Sequence, residues 1–161
     1  MQCKKCGSRN KGYKLKDGSC IPQFSFRAVY ETSEDDNISF IYDLYKENII
    51  ELEVDKEKVP TPNNNYTFKN PGNHTVYILL NIDNLTSLHL FNGTENLKTI
   101  YFSKQCNTVK IKSFKDLFLD CSLLESIDIW NFNTEKVEIM DDMFSGCESL
   151  KINKISKINN S

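Results

Sequence analysis

Met140-Asp141-Asp142-Met143-Phe144-Ser145-Gly146-Cys147-Glu148-Ser149-Leu150 is the stretch on which the reading of this chain turns, because its pattern occurs twice. Leu117-Phe118-Leu119-Asp120-Cys121-Ser122-Leu123-Leu124 carries apolar residues in the same order, and Phe118 and Phe144, Cys121 and Cys147, Leu124 and Leu150 each stand 26 residues apart. A fainter copy, Leu90-Phe91 followed by Leu97, lies 27 residues before Phe118 and has Thr94 in the cysteine slot. Self-similarity at a near-constant step of this size predicts a stacked solenoid.

Outside that core, Asn107-Thr108 and Asn133-Thr134 keep the spacing, as do Ile111 and Val137, and Phe114 and Met140. Between the copies, Leu97-x-x-Ile100-x-Phe102 is answered by Leu124-x-x-Ile127-x-Ile129. Such a line reads as a short strand of a leucine-rich repeat, with Ile127 and Ile129 inward and Asp128 outward. Val137, Met140, Met143 and Phe144 then share one face of a short helix. Neither element can hide its apolar side alone, so the coils are expected to stack, with Phe118 and Phe144 deeply buried.

Strand parity also points Ser126, Asp128 and Trp130 outward, together with Thr99, Tyr101 and Ser103 one coil earlier. Solenoids use that surface for partners. Tyr101, Asp128 and Trp130 are therefore candidate partner-binding residues, since exposed aromatics dominate many interfaces. The competing reading turns Trp130 inward, under a further coil.

The segment from Phe132 to Leu150, with its N-T-x-x-V-x-x-M-x-x-M-F-x-x-C-x-x-L pattern, resembles the repeat of the BspA-like leucine-rich-repeat surface proteins. Tyr66-Thr67-Phe68 and Gly72-Asn73-His74-Thr75-Val76 resemble the strand pair that leads into those repeats. The resemblance spans roughly Tyr66 to Lys151. It departs from the pattern at Thr94 and after Leu150. It implies a cell-surface or secreted protein used for adhesion or recognition, with no catalytic residues to carry over.

Residues 1–22 hold Cys3, Cys6 and Cys20 among loop residues, with Asp17-Gly18 as a turn signal. A zinc site needs a fourth ligand, and His74 is the closest candidate in the sequence. The preferred reading is a disulfide knuckle of Cys3, Cys6 and Cys20, with zinc as the alternative, because the spacing around Gly12-Tyr13 and Gly18 resembles furin-like and growth-factor-like extracellular repeats. With three cysteines, one partner lies upstream of Met1 or one thiol is free.

Residues 23–80 alternate as strands do: Phe24, Phe26, Ala28 and Tyr30 share a face, and Ile50, Leu52 and Val54 alternate with acidic residues. Asp55 to Lys58 is expected to turn the chain, Pro60-Thr61-Pro62 and three asparagines to form an exposed loop, and Tyr66–Lys69 to form a hairpin with Thr75–Leu80. The fold class expected is mainly β with short helices, a small antiparallel β module capping a leucine-rich-repeat solenoid. The organisation is a cysteine-rich knuckle (1–22), the β module (23–80) and repeats truncated at the C-terminus (81–161). Beginning inside a cysteine cluster and ending inside a repeat, the chain reads as a fragment or mature piece.

The 161 residues carry a net charge of −2, and Arg9 and Arg27 are the only arginines beside many lysines. No basic patch suits nucleic acid. No apolar run approaches the roughly 20 residues that cross a bilayer as a helix. Glu31, Glu34, Asp35 and Asp36 lack the spacing and glycine of a calcium loop, and His74 and His89 fall in no nucleophile–base signature. Neither a catalytic centre nor a cofactor or metal is expected.

Cys106, Cys121 and Cys147 read as small buried hydrophobes. Glycosylation triplets begin at Asn37, Asn65, Asn73, Asn84, Asn92 and Asn159, as suits a secreted glycoprotein. The expected function is a non-catalytic extracellular adhesion module whose partner is a protein or glycan on another cell or in the matrix. The alternative is an intracellular leucine-rich-repeat scaffold with a zinc-binding N-terminus.

Overall fold

A computed structural model describes residues 13–16, 19–22, 24–104 and 106–151, with side chains from Phe24 onward. The chain is mainly β. Strands β1 (Tyr13–Lys16) and β2 (Ser19–Pro22) form an antiparallel hairpin. They are followed by β3 (Phe24–Thr32), β4 (Asn37–Ser39), β5 (Ile49–Val54), β6 (Glu57–Val59), β7 (Asn65–Thr67), β8 (Gly72–Leu80), β9 (Leu97–Phe102) and β10 (Ser126–Asp128). The six-residue 3-10 helix Asp43–Asn48 is the one helix among the described residues. None there is long and apolar enough to cross a membrane.

Six strands make one sheet in the order β10-β9-β3-β8-β5-β6, antiparallel throughout except for the parallel pair β9/β10. Strand β3 is its centre. Phe24, Phe26, Ala28 and Tyr30 face the core as expected, and both edges of β3 are occupied, by β8 on one side and β9 on the other. The β module thus continues the sheet of the first repeat strand, and a single apolar cluster runs from Phe24 to Met143.

The expected hairpin is re-paired: β7 joins β4 instead, while β8 lies between β3 and β5. Nine residues of β8 fill two neighbours at once, which a three-residue strand cannot do. A register shift between Ile49 and Glu51 puts Ile49 in the core and leaves Ile50 outside. The β5–β6 turn falls at Asp55 and Lys56, both with positive φ (49° and 74°), the geometry that suits a two-residue hairpin. Of the three asparagines expected in an exposed loop, Asn64 is buried. Its side-chain amide donates to the Ile41 carbonyl (3.0 Å) and its backbone carbonyl accepts from Phe40 N–H (2.7 Å).

Beyond β8 the 26-residue spacing becomes a backbone ladder. Ser87 bridges Ser113 and Ser113 bridges Ile139, both in parallel. Phe91 N–H donates to Leu117 O (3.0 Å) and Phe118 N–H to Met143 O (2.9 Å). The rings follow: Phe91, Phe118 and Phe144 stack with 2° between planes and centroids 5.1 and 5.5 Å apart. Phe118 is fully buried, while Phe144, the last ring of the stack among the described residues, is half-buried and not deeply buried as expected.

The expected helix over Val137–Phe144 is a run of single turns, in which Met143 N–H bonds Met140 O and Ser145 N–H bonds Asp142 O. Asp142 has φ 54°, outside the helical region, and in the preceding coil Phe118 N–H is committed to Met143 O instead of turning back four residues. Two residues after each stacked ring, Gly93, Asp120 and Gly146 all adopt positive φ. At Gly146 a Cβ would collide with the Asp120 side chain, so this position of the last coil requires glycine.

The paired motifs acquire roles. Thr108 hydroxyl accepts from Asn133 N–H (2.7 Å) and donates to Asn133 O (3.0 Å), tying one Asn-Thr to the next. Asn107 and Asn133 side chains each accept the N–H two residues on, closing identical turns. Cys121 thiol donates to Phe91 O (3.1 Å) and Cys147 thiol to Phe118 O (3.0 Å). Cys106, Cys121 and Cys147 are free thiols; burial raises all three, Cys106 and Cys147 to about 11.

Phe118→Ala is expected to destabilise the protein by about 3 to 5 kcal/mol, as large core deletions do. Phe144→Ala should cost less, its ring being covered on one side. Denaturant unfolding measures both, and a loss below about 1 kcal/mol at Phe118 would contradict the stacked register.

Candidate functional site

Because side chains alternate along each strand, one face of the six-stranded sheet supplies the core and the other carries a separate row. Register places Asp128 beside Tyr101, Tyr101 beside Arg27, Arg27 beside Tyr77, Tyr77 beside Glu53 and Glu53 beside Lys58. Trp130 lies two residues past the end of β10, in a turn where its N–H reaches Asp128 Oδ1 at 3.5 Å. Tyr101 is 54% exposed and Trp130 42%, whereas Ile127, Ile129, Ile100 and Phe102 on the opposite parity are buried. Of the expected outward set, Tyr101 and Asp128 lie side by side on this face, and Trp130 is exposed in the turn that follows β10.

Four members of that row, Arg27, Tyr77, Glu53 and Lys58, come from the β module. Arg27 is exposed and its guanidinium sits over the Tyr77 ring, 5.3 Å from the centroid. Tyr77 is buried, which raises its phenol, with Ser25 and Arg27 acting in the opposite sense. A cleft of about 230 Å³ opens between Tyr101 and the Arg27–Tyr77 pair, lined also by Ser25, Ser103 and backbone neighbours Phe26 and Phe102. Periodicity could place Arg27 opposite Phe26 and Ala28, but it carries no information on which strand lies next. Arg27 is one of two arginines in a lysine-rich chain, and that was the available signal.

The remaining candidates fall elsewhere. Cys3 and Cys6 lie outside the described residues, as does the side chain of Cys20, whose backbone pairs with Leu15 in the β1–β2 hairpin. Among the described residues no three His, Cys, Asp or Glu side chains converge as metal ligands. His74, the conceivable fourth zinc ligand, is engaged otherwise: Nδ1 lies 2.7 Å from Asp55 Oδ2 and Nε2 2.9 Å from Asn70 O. His89 Nδ1 bonds the Tyr45 hydroxyl at 3.1 Å. The acidic run folds as the β3–β4 turn, where Asp35 pairs with Lys69 at 3.2 Å and Asp36 accepts Ser33 N–H.

Residues 65–161 match the family described as Mycoplasma protein of unknown function, DUF285, which covers the ladder and the strands leading into it. The chain belongs to this family. Neither a curated protein nor a solved structure matches it. Tyr77, Tyr101, Asp128 and Trp130 lie within the family's span, while Arg27 lies before it.

Emission from Trp130 should be solvent-exposed and quenched by iodide in the native state, and Trp130→Ala should change stability by under about 1 kcal/mol. A shielded, blue-shifted emission would remove Trp130 from the surface. His74 provides a second test. Burial lowers its pKa, but the bonds to Asp55 and Asn70 outweigh this and leave it raised above 6.5. The stabilisation is then fully present below the unfolded-state value and is lost as pH rises through the folded-state value. Stability of Asp55→Asn relative to the parent, followed between about pH 5 and 9, should show the larger deficit on the acid side. A deficit independent of pH would contradict a charged pair.

Proposed function

We propose that this protein is a non-catalytic recognition module of the BspA-like leucine-rich-repeat kind, acting at a cell surface or outside the cell. The observation that carries the reading is the exposure of Tyr101 and Trp130, with half-buried Asp128 beside Tyr101, over a buried ladder that holds them rigid. A rigid aromatic surface loses little entropy on binding, which is what a recognition face requires. The repeat reading itself is supported by the parallel bridges at 26-residue intervals and the coplanar phenylalanines. On this reading β3 caps the first coil by pairing with the open edge of β9.

The partner is a protein or glycan of another cell or the matrix.

Binding of the purified protein to immobilised matrix proteins and mucin-type glycoproteins tests the reading, with Tyr101→Ala/Trp130→Ala as the comparison. Loss of two interface aromatics should weaken binding by at least about tenfold while leaving the circular dichroism of the fold unchanged. Binding indifferent to the double substitution, or absent from every surface, would contradict it.

A further inference from the structure

The cleft beside Tyr101 has a chemistry of its own. Arg27 makes no ion pair with any described residue, although Glu53 and Asp128 stand two strands away on either side along the same row. Lys98 and Lys58, by contrast, are matched to Glu31 and Glu51 at 2.6 and 3.1 Å. The cation–π contact with Tyr77, 5.3 Å from Cζ to the ring centroid, draws the guanidinium to the cleft and leaves its N–H groups for another acceptor. That is the preorganised fork that binds a carboxylate with two parallel hydrogen bonds.

The walls restrict what carries that carboxylate. About 230 Å³ accommodates one sugar ring and is too small for a folded surface. The far wall is the exposed Tyr101 ring, a flat apolar face of the kind a pyranose packs its C–H groups against, and Ser25 and Ser103 supply hydroxyls along the floor. We infer that the cleft bounded by Arg27, Tyr77 and Tyr101 binds a single carboxylated pyranose, a terminal acidic sugar of a glycan. The inference rests on the recognition reading above and specifies its ligand.

Titration with N-acetylneuraminic acid and with glucuronic acid tests it, followed by amide shifts of Arg27 and Tyr101 in nuclear magnetic resonance spectra of the full chain. At least one acid should bind saturably at up to roughly 10 mM, the range of weak single-site affinities. Its methyl ester should bind at least about tenfold more weakly, since a charge-assisted pair is lost. Arg27→Gln and Arg27→Lys should reduce affinity by a similar factor, with Lys retaining charge but not the fork. Unchanged amide spectra elsewhere establish that these variants fold.

Equal affinity for acid and ester, no saturable shift for either sugar, or equal binding of glutarate would overturn the inference. Glutarate would mean that a carboxylate alone suffices. If Tyr101→Ala/Trp130→Ala abolishes surface binding while the acid sugars leave Arg27 unmoved, this inference fails and the recognition reading stands.

Discussion

Pairing of β3 with β9 is the constraint on which the rest of the structure depends. The edge strand of a sheet exposes a row of unpaired N–H and C=O groups, which in water are satisfied but invite association. Here that edge is closed by Phe26 to Tyr30 running antiparallel to Leu97 to Phe102. The same strand delivers Phe24 and Phe26 into the aromatic cluster of Phe91, Phe102 and Phe132, with centroid separations of 5.0 to 6.1 Å. Edge closure and core formation are thus the work of one nine-residue segment.

Away from that junction the ladder works by repetition. Each coil satisfies backbone groups through its neighbour, so helix formation is displaced by single turns, and positive-φ residues at Gly93, Asp120 and Gly146 bend every coil at the same place. Thiol-to-carbonyl bonds from Cys121 and Cys147 add a side-chain rung. Cysteine suits that slot because it is small enough to be buried and still donates a weak hydrogen bond. Thr94 fills the slot in the first copy, where it is buried too.

Much of this was legible in the residues, and the gaps have physical causes. The 26-residue step placed Phe91, Phe118 and Phe144 in one stack, and strand parity put Tyr101 and Trp130 outward. Both rest on local periodicity, which the chain states openly. The partner of β3 was not legible, because a pairing between segments some 70 residues apart leaves no periodic trace. For the same reason Arg27 and Tyr77 were missed as neighbours of Tyr101. The helix over Val137–Phe144 failed because an apolar spacing of three and four does not say whether N–H groups bond within the coil or to the next one. The β7–β8 hairpin failed because Asn70-Pro71-Gly72 turns the chain without deciding which strands it joins.

The proposed recognition face follows from the same junction, since the continuity of β10, β9, β3 and β8 brings Asp128, Tyr101, Arg27 and Tyr77 side by side. Cross-strand nuclear Overhauser effects between backbone protons of Phe26–Tyr30 and Leu97–Phe102 test that continuity most directly. The structure requires contacts in antiparallel register, Phe26 with Phe102, Arg27 with Tyr101 and Ala28 with Ile100. Cross-peaks from β9 confined to β10, with none to β3, would contradict it.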